Sequence, residues 1–351
     1  MNKLTFTLLA LLMVSACSDK TIKIEKQGHF SVGGTTVQRE GAYDNSQFIG
    51  WAEQNETGQS YRGDHAFVEY QIPVGAHPYP LVFVHGYGGS GVCWQMTPDN
   101  RDGFATLMLR KGYSTYVMDL PGRGRAGRTT AEKQIKPVAD EMFWFDIWRI
   151  GVWPTYNKGV QFSQDPVYLS QFFREMTPDL SDHTLDVGAI DALVNKIGNS
   201  VLVTHSAGGF PGWLVAMQND RVKGVAAFEP GGYVFPEGEV PKSMPSLTGS
   251  LEGVPVPLES FLKLTKMPIV LYFGDYIPEE SSSRLGDENW RVRLQMGRKF
   301  VETVNKHGGQ ATLVELPKIG IYGNTHFLMQ DLNNDVIADL FNKWLTESNL
   351  K

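Results

Sequence analysis

Cysteine is almost absent from this chain: its 351 residues carry two, Cys17 and Cys93. Once Cys17 has the separate role argued below, a single thiol is left, and one thiol closes no internal disulfide even in an oxidising compartment. An excess of positive charge is lacking too. Lys and Arg number 32 against 38 Asp and Glu, a net charge of −6. Such a chain gains little from counterion release at a phosphate backbone, so nucleic acid is not an expected partner. Beyond the N-terminus no run approaches the roughly 18 apolar residues of a spanning helix, and no internal repeat is visible. What is present is a globular composition, 42% apolar and 20% charged. At this length one large domain, or a domain with a lid, buries a core without disulfides or structural metals.

The first residues differ from the rest. Met1-Asn2-Lys3 supplies a short positive end, Leu4 to Val14 is apolar, and Ser15-Ala16-Cys17 follows. The run is short for a spanning helix and ends in small residues, which is the pattern of an export signal. Val14-Ser15-Ala16-Cys17 resembles the bacterial lipobox, in which the cysteine becomes the lipidated first residue. The expectation is a signal over 1–16 and a lipid anchor at Cys17, in the bacterial cell envelope. Ser18, rather than an aspartate, by resemblance points to the outer membrane facing the periplasm.

Residues 17–60 are polar and read as a tether leading into edge strands, with Thr35-Thr36-Val37 and Phe48-Ile49 as weak candidates. From about residue 61 to 351 a strand-then-helix cadence sets in. Ala66 to Ile72 alternates like a half-exposed strand, and Leu81-Val82-Phe83-Val84 is a continuous apolar run, as a buried strand is. Further strands are expected at 113–118, 201–204, 224–228, 269–273 and 312–316, and helices at 104–111, 185–197, 212–218, 290–307 and 331–345. Short apolar strands alternating with helices imply right-handed crossovers and a mostly parallel sheet covered on both faces, an α/β fold. About 122–181 the cadence breaks. The stretch Phe143 to Trp153 is dense in aromatics, as a lid over an apolar ligand site is, and its Trp144, Trp148 and Trp153 are expected substrate contacts.

Val201-Leu202-Val203 runs into Thr204-His205-Ser206-Ala207-Gly208-Gly209 and then a helix. A serine on a tight strand-to-helix turn, flanked by small residues, is a nucleophile elbow, although Thr204 stands where glycine is usual. His85-Gly86-Tyr87-Gly88-Gly89 follows an earlier buried strand, where a backbone N–H is needed to hold an oxyanion. The expected donors are the N–H groups of Tyr87 and Ala207. Of the eight histidines, His326 lies after the last strand and before the last helix, the place of a general base. His205 should point away from the serine, and His85 reads as a loop residue. Two carboxylates compete to orient the base: Glu229, after Val225-Ala226-Ala227-Phe228, and Asp275, after Ile269 to Gly274. Both end strands at the edge where open α/β sheets bind ligands, and spacing alone favours Asp275. No metal or organic cofactor is implied.

Taken together these stretches resemble the α/β-hydrolase superfamily, and more closely a family of secreted bacterial arylesterases whose triad acid is a glutamate. The closer likeness rests on Val68 to Pro73, Trp94-Gln95-Met96-Thr97-Pro98-Asp99, Arg110 to Val117, Gly122-Arg123-Gly124-Arg125, Thr204-His205-Ser206 and Phe228-Glu229-Pro230-Gly231. The resemblance implies an α/β-hydrolase fold with an inserted lid. It makes Ser206 the nucleophile, Glu229 the acid and His326 the base, and it makes Thr204 ordinary. The chain departs from that family at the oxyanion loop, where Tyr87-Gly88 replaces two adjacent cysteines. The function implied is a serine esterase acting on small carboxylic esters, aryl or short-acyl, through an acyl-enzyme. Hydrolysis of another acyl bond (lactone, amide, glycan or polymer ester) and a non-catalytic binding lipoprotein are the alternatives. Arg123, Arg125 and Arg128 are candidates to meet an anion, and oligomeric state is not legible.

Overall fold

The computed structural model describes residues 21–41, 58–132, 135–178 and 183–351. Its main sheet has eight strands: β1 Ile24–Arg39, β2 Gln59–Pro73, β3 Leu81–Val84, β4 Thr115–Asp119, β5 Ser200–His205, β6 Val222–Phe228, β7 Pro268–Phe273 and β8 Gln310–Glu315. They lie in the order β1-β2-β4-β3-β5-β6-β7-β8. β2 runs antiparallel to β1 and β4, and the pairs from β4 to β8 are parallel.

The continuous apolar runs follow from burial on both faces, since successive side chains alternate sides. Val82, Val84, Leu202, Val225 and Leu271 face one core. Leu81, Phe83, Val203, Phe228 and Tyr272 face the other. The first face is covered by α4 His183–Ile197, α5 Gly209–Gln218 and α6 Leu285–Lys306, through Ile190, Leu193, Trp213 and Phe300. The second is covered by α1 Phe104–Arg110 and α7 Asn334–Glu347, through Phe104, Met108 and Phe341.

The segment read as tether and weak edge strands contributes the long strand β1, paired with β2 along its length. His29 and His65 lie within this pairing. Cys17 and Phe48-Ile49 lie outside the described residues. Among the described residues no helix is long and apolar enough to cross a membrane.

The insertion carries two helices, α2 Glu141–Ile147 and α3 Pro166–Arg174, and a two-residue hairpin joining Gly151–Val152 to Thr155–Tyr156. Asp165 caps α3 by accepting from the Val167 N–H at 2.8 Å, with Pro166 in the first turn where its missing N–H costs nothing. Its aromatics divide in two. Phe145, Phe162, Tyr168 and Phe172 are buried in the second core, and others are left to line a cavity.

Candidate active site

β5 ends at His205, a single 3₁₀ turn carries Ser206 to Gly208, and α5 begins at Gly209. The turn forces Ser206 to φ 53°, the left-handed region that branched and bulky residues avoid. Two glycines make room. A Cβ on Gly86 would lie 2.6 Å from Ser206 Cβ, so the loop after β3 approaches Ser206 closely because residue 86 has no side chain. A Cβ on Gly212 would lie 2.8 Å from Thr204 Cγ2. The bulk of Thr204 is thus taken up one helical turn along, in place of a glycine at 204 itself. Ala207 opens the helical segment, where N–H groups have no intrahelical acceptor. Tyr87 sits between Gly86 and Gly88 (φ 68°), with its ring 5.2 Å from that of Trp144.

Glu229 follows β6 at φ 45° and is fully buried. Its Oε2 lies 2.6 Å from His326 Nδ1. Its Oε1 accepts from the Gly274 N–H at 2.7 Å and from Arg149 Nη2. With Nδ1 committed to the carboxylate, the lone pair of the neutral ring is on Nε2. Asp275 does not touch the imidazole. Its Oδ2 accepts from the Gly323 N–H at 2.7 Å and its own N–H donates to Asn324 O at 2.8 Å, so it braces the loop that carries His326. Asp331 anchors the same loop from the other side, accepting from the N–H and hydroxyl of Thr325, each at 2.8 Å, and burial lifts its carboxyl to about 7. The His326 N–H donates to Trp148 O at 3.0 Å.

Burial, and then the positive charges of Arg149 and Arg293, hold the His326 imidazole well below its ordinary pKa. It is therefore neutral, and able to accept a proton, at neutral pH. His205 is also buried and held low, chiefly by desolvation; its Nε2 bonds the His326 carbonyl at 3.0 Å. His85 is a loop brace: Nε2 accepts from the Leu120 N–H at 3.1 Å. Among the described residues no hydrogen bond joins Ser206 Oγ to His326 Nε2. Such contacts are often long before substrate enters.

Above Ser206 opens a cavity of about 510 Å³. Ser206 and Ala207 form its floor, and Tyr87, Trp144, Trp148 and Trp290 wall it. Thr248, Asn289 and Arg293 form a polar end. Trp153 is not part of it: the ring packs edge-on against Phe145 at 5.4 Å and is 43% exposed, because it belongs to the hairpin and not to α2. The three candidate arginines at the start of the insertion do not line the cavity either. Arg125 pairs with Asp119 and Glu69, Arg128 lies over the Tyr61 ring, and Arg123 donates to Gly86 O at 3.4 Å.

Sequence reasoning missed Arg149, Trp290 and Arg293. Arg149 is fully buried; besides Glu229 it reaches Asp275 O through Nε at 2.8 Å. Trp290 donates to Ile147 O at 2.6 Å, and its ring lies 4.1 Å from that of His326, tilted by 36°. For Arg149 a signal existed, since a cation in the middle of an aromatic stretch calls for a buried carboxylate.

Comparison with known proteins agrees with this architecture. The profile of the alpha/beta hydrolase family matches residues 81–344, and the chain belongs to that family. It is 29% identical to a bacterial esterase of known structure, on which it superposes with a TM-score of 0.74, covering 93% of this chain and 97% of that one. It is 26% identical over 324 residues to the probable secreted lipase phiG of Fungal sp. (strain ATCC 74256), covering 82% of this chain and 87% of the relative. Within the family its likeness is to esterases and lipases.

Proposed function

We propose that the protein is a serine esterase that hydrolyses carboxylic esters through an acyl-enzyme on Ser206. The observation that carries this reading is the buried Glu229–His326 pair, 2.6 Å apart, beneath a cavity whose floor is Ser206. The Ser206 hydroxyl turns to Nε2 of His326 as substrate enters and attacks the ester carbonyl carbon while its proton passes to the ring. Glu229 stabilises the imidazolium, and the N–H groups of Tyr87 and Ala207 receive the oxyanion. Collapse of the tetrahedral intermediate breaks the ester C–O bond, and His326 returns the proton to the departing alcohol or phenol. Water then attacks the acyl-enzyme, His326 takes its proton, and the acid is released with Ser206 restored.

Trp144 and Trp148, among the cavity walls, suit an aryl or short-acyl group. The test is labelling by a fluorophosphonate probe with turnover of p-nitrophenyl esters. Both are expected of the wild type and neither of Ser206→Ala. Labelling that survives in the variant places the nucleophile elsewhere, and absence of both in the wild type favours a non-catalytic binding protein.

We further propose that the chain is exported and lipid-anchored at Cys17 in the envelope, on the strength of the Val14-Ser15-Ala16-Cys17 motif and the secreted relative. Wild type should enter the detergent phase on Triton X-114 partition and Cys17→Ala the aqueous phase. Equal partition of the two refutes the anchor.

A further inference from the structure

The cavity carries one charge that the reaction above does not use. Arg293 stands on α6 at the third position after Trp290 and one before Leu294, and so starts from the helix face that meets the core. Its guanidinium lies 5.5 Å from the centre of the Trp290 ring, which in turn packs against His326 with centroids 4.1 Å apart. The cation is therefore about one indole away from the base. Nη1 is held by Asn289, donating to its backbone carbonyl at 2.9 Å and to its side-chain oxygen at 2.5 Å. Asn289 Oδ1 is itself steadied by Thr248 Oγ1 at 2.7 Å.

Among the described residues no carboxylate pairs with Arg293, and Nε and Nη2 have no protein acceptor. Burial pulls the group below its ordinary pKa, yet an arginine remains cationic. A partly buried cation without a counter-charge is costly, and the guanidinium fork matches a carboxylate in two-point contact. The other arginines near this part of the molecule are neutralised: Arg149 by Glu229, Arg284 by Asp146 and Asp287. Arg293 differs from them in opening onto a cavity.

We propose that the substrate is an ester bearing a carboxylate a few bonds from the scissile carbonyl, and that Arg293 receives this carboxylate at the polar end of the cavity. The inference rests on the esterase reading and adds the class of substrate to it. Trp144 and Trp148 flank the apolar part of such a molecule, Ser206 attacks its carbonyl, and Asn289 with Thr248 fixes the guanidinium in advance.

Two matched pairs of esters test it, one for each side of the scissile bond: p-nitrophenyl hemiglutarate against p-nitrophenyl pentanoate, and 4-(carboxymethyl)phenyl acetate against 4-ethylphenyl acetate. In the wild type, kcat/KM is expected to favour the anionic member of at least one pair by tenfold or more. That ratio should collapse to about one or below in Arg293→Gln, recover in part in Arg293→Lys, and shrink with added salt. No preference in either pair for the wild type, or a preference unchanged in Arg293→Gln, overturns the inference while the esterase reading stands. Turnover of none of the four esters, with no fluorophosphonate labelling, overturns the esterase reading and this inference with it. Should Arg293→Gln fail to fold, the wild-type ratio, its salt dependence and the Lys variant decide.

Discussion

Two arginines lie against the Trp290 ring, at 5.0 Å for Arg149 and 5.5 Å for Arg293, and they belong to differently finished regions. Around Arg149 the lone pairs of the carboxylate are answered: Glu229 takes His326 on one oxygen and Gly274 with Arg149 on the other. Around Arg293, which lines the cavity, the protein supplies the backbone and side-chain oxygens of Asn289, and among the described residues Nε and Nη2 have no acceptor. The first region is closed by the protein itself, although Arg149 Nη1 is buried there without a hydrogen-bond partner among the described residues. The second is completed only by something that enters. What separates the two is the counter-charge: Arg149 has Glu229 beside it, whereas among the described residues no carboxylate pairs with Arg293.

The sharpest way to break the comparison is to remove the acid. Glu229→Gln should lower kcat by on the order of 10^4, whereas Asp275→Asn, which disturbs only the brace on the His326 loop, should be milder, with both variants folded by circular dichroism. The reverse ranking would assign Asp275 to the base. Arg149→Met comes next. It leaves the Glu229 carboxylate buried without its cation, which costs about 3–5 kcal/mol of stability when one partner of a buried pair is lost. The expectation is a clear drop in the urea midpoint, and an unchanged midpoint would show that the pair is not formed.

A pH profile sharpens the contrast. In the proposed mechanism His326 must be neutral, and its pKa is held well below 6.5, so the acid limb of kcat/KM for the wild type should lie well under that pH. Arg293→Gln removes one of the positive charges that disfavour imidazolium, so the limb should move upward towards neutrality. A limb that stays fixed would mean that Arg293 does not act on the base. The smallest effect is expected at the rim. Trp153→Ala, outside the cavity, should change kcat/KM by no more than about twofold, while Trp144→Ala, in its wall, should change it more.

Much of this architecture was legible because strands buried on both faces read as continuous apolar runs, as at Leu81–Val84 and Val201–Val203. Ser206 and His326 stood out as candidates because Ser206 follows a buried strand on a tight turn and His326 lies in the loop between the last strand and the last helix. The choice between Glu229 and Asp275 was not, since both end adjacent parallel strands and spacing cannot say which carboxylate bends to the ring. That decision is made by φ 45° at Glu229 and by Arg149, which arrives from a segment 80 residues away. Thr204 looked like a flaw until Gly212 was seen beneath its methyl group. Arg293 was within reach of pattern reading: Trp290, Arg293, Leu294 and Gly297 follow the i, i+3, i+4, i+7 spacing of one helix face, which puts a cation where apolar residues belong. Trp153 was misread because an aromatic run has no single orientation, and the chain leaves α2 before reaching it.

Among the described residues seven that are not glycine adopt positive φ, and Arg149, Ser206 and Glu229 are three of them. Each such residue costs on the order of 1–3 kcal/mol, held in place by the surrounding fold. The chemistry therefore sits on a slope: a Ser206→Gly chain relaxes the turn, gives back part of that gain through the looser unfolded chain, and should melt no lower than the wild type while doing nothing to an ester. On the esterase reading, selection for durability alone would carry this sequence towards an inert protein, and turnover would be what keeps the serine in its disfavoured angle.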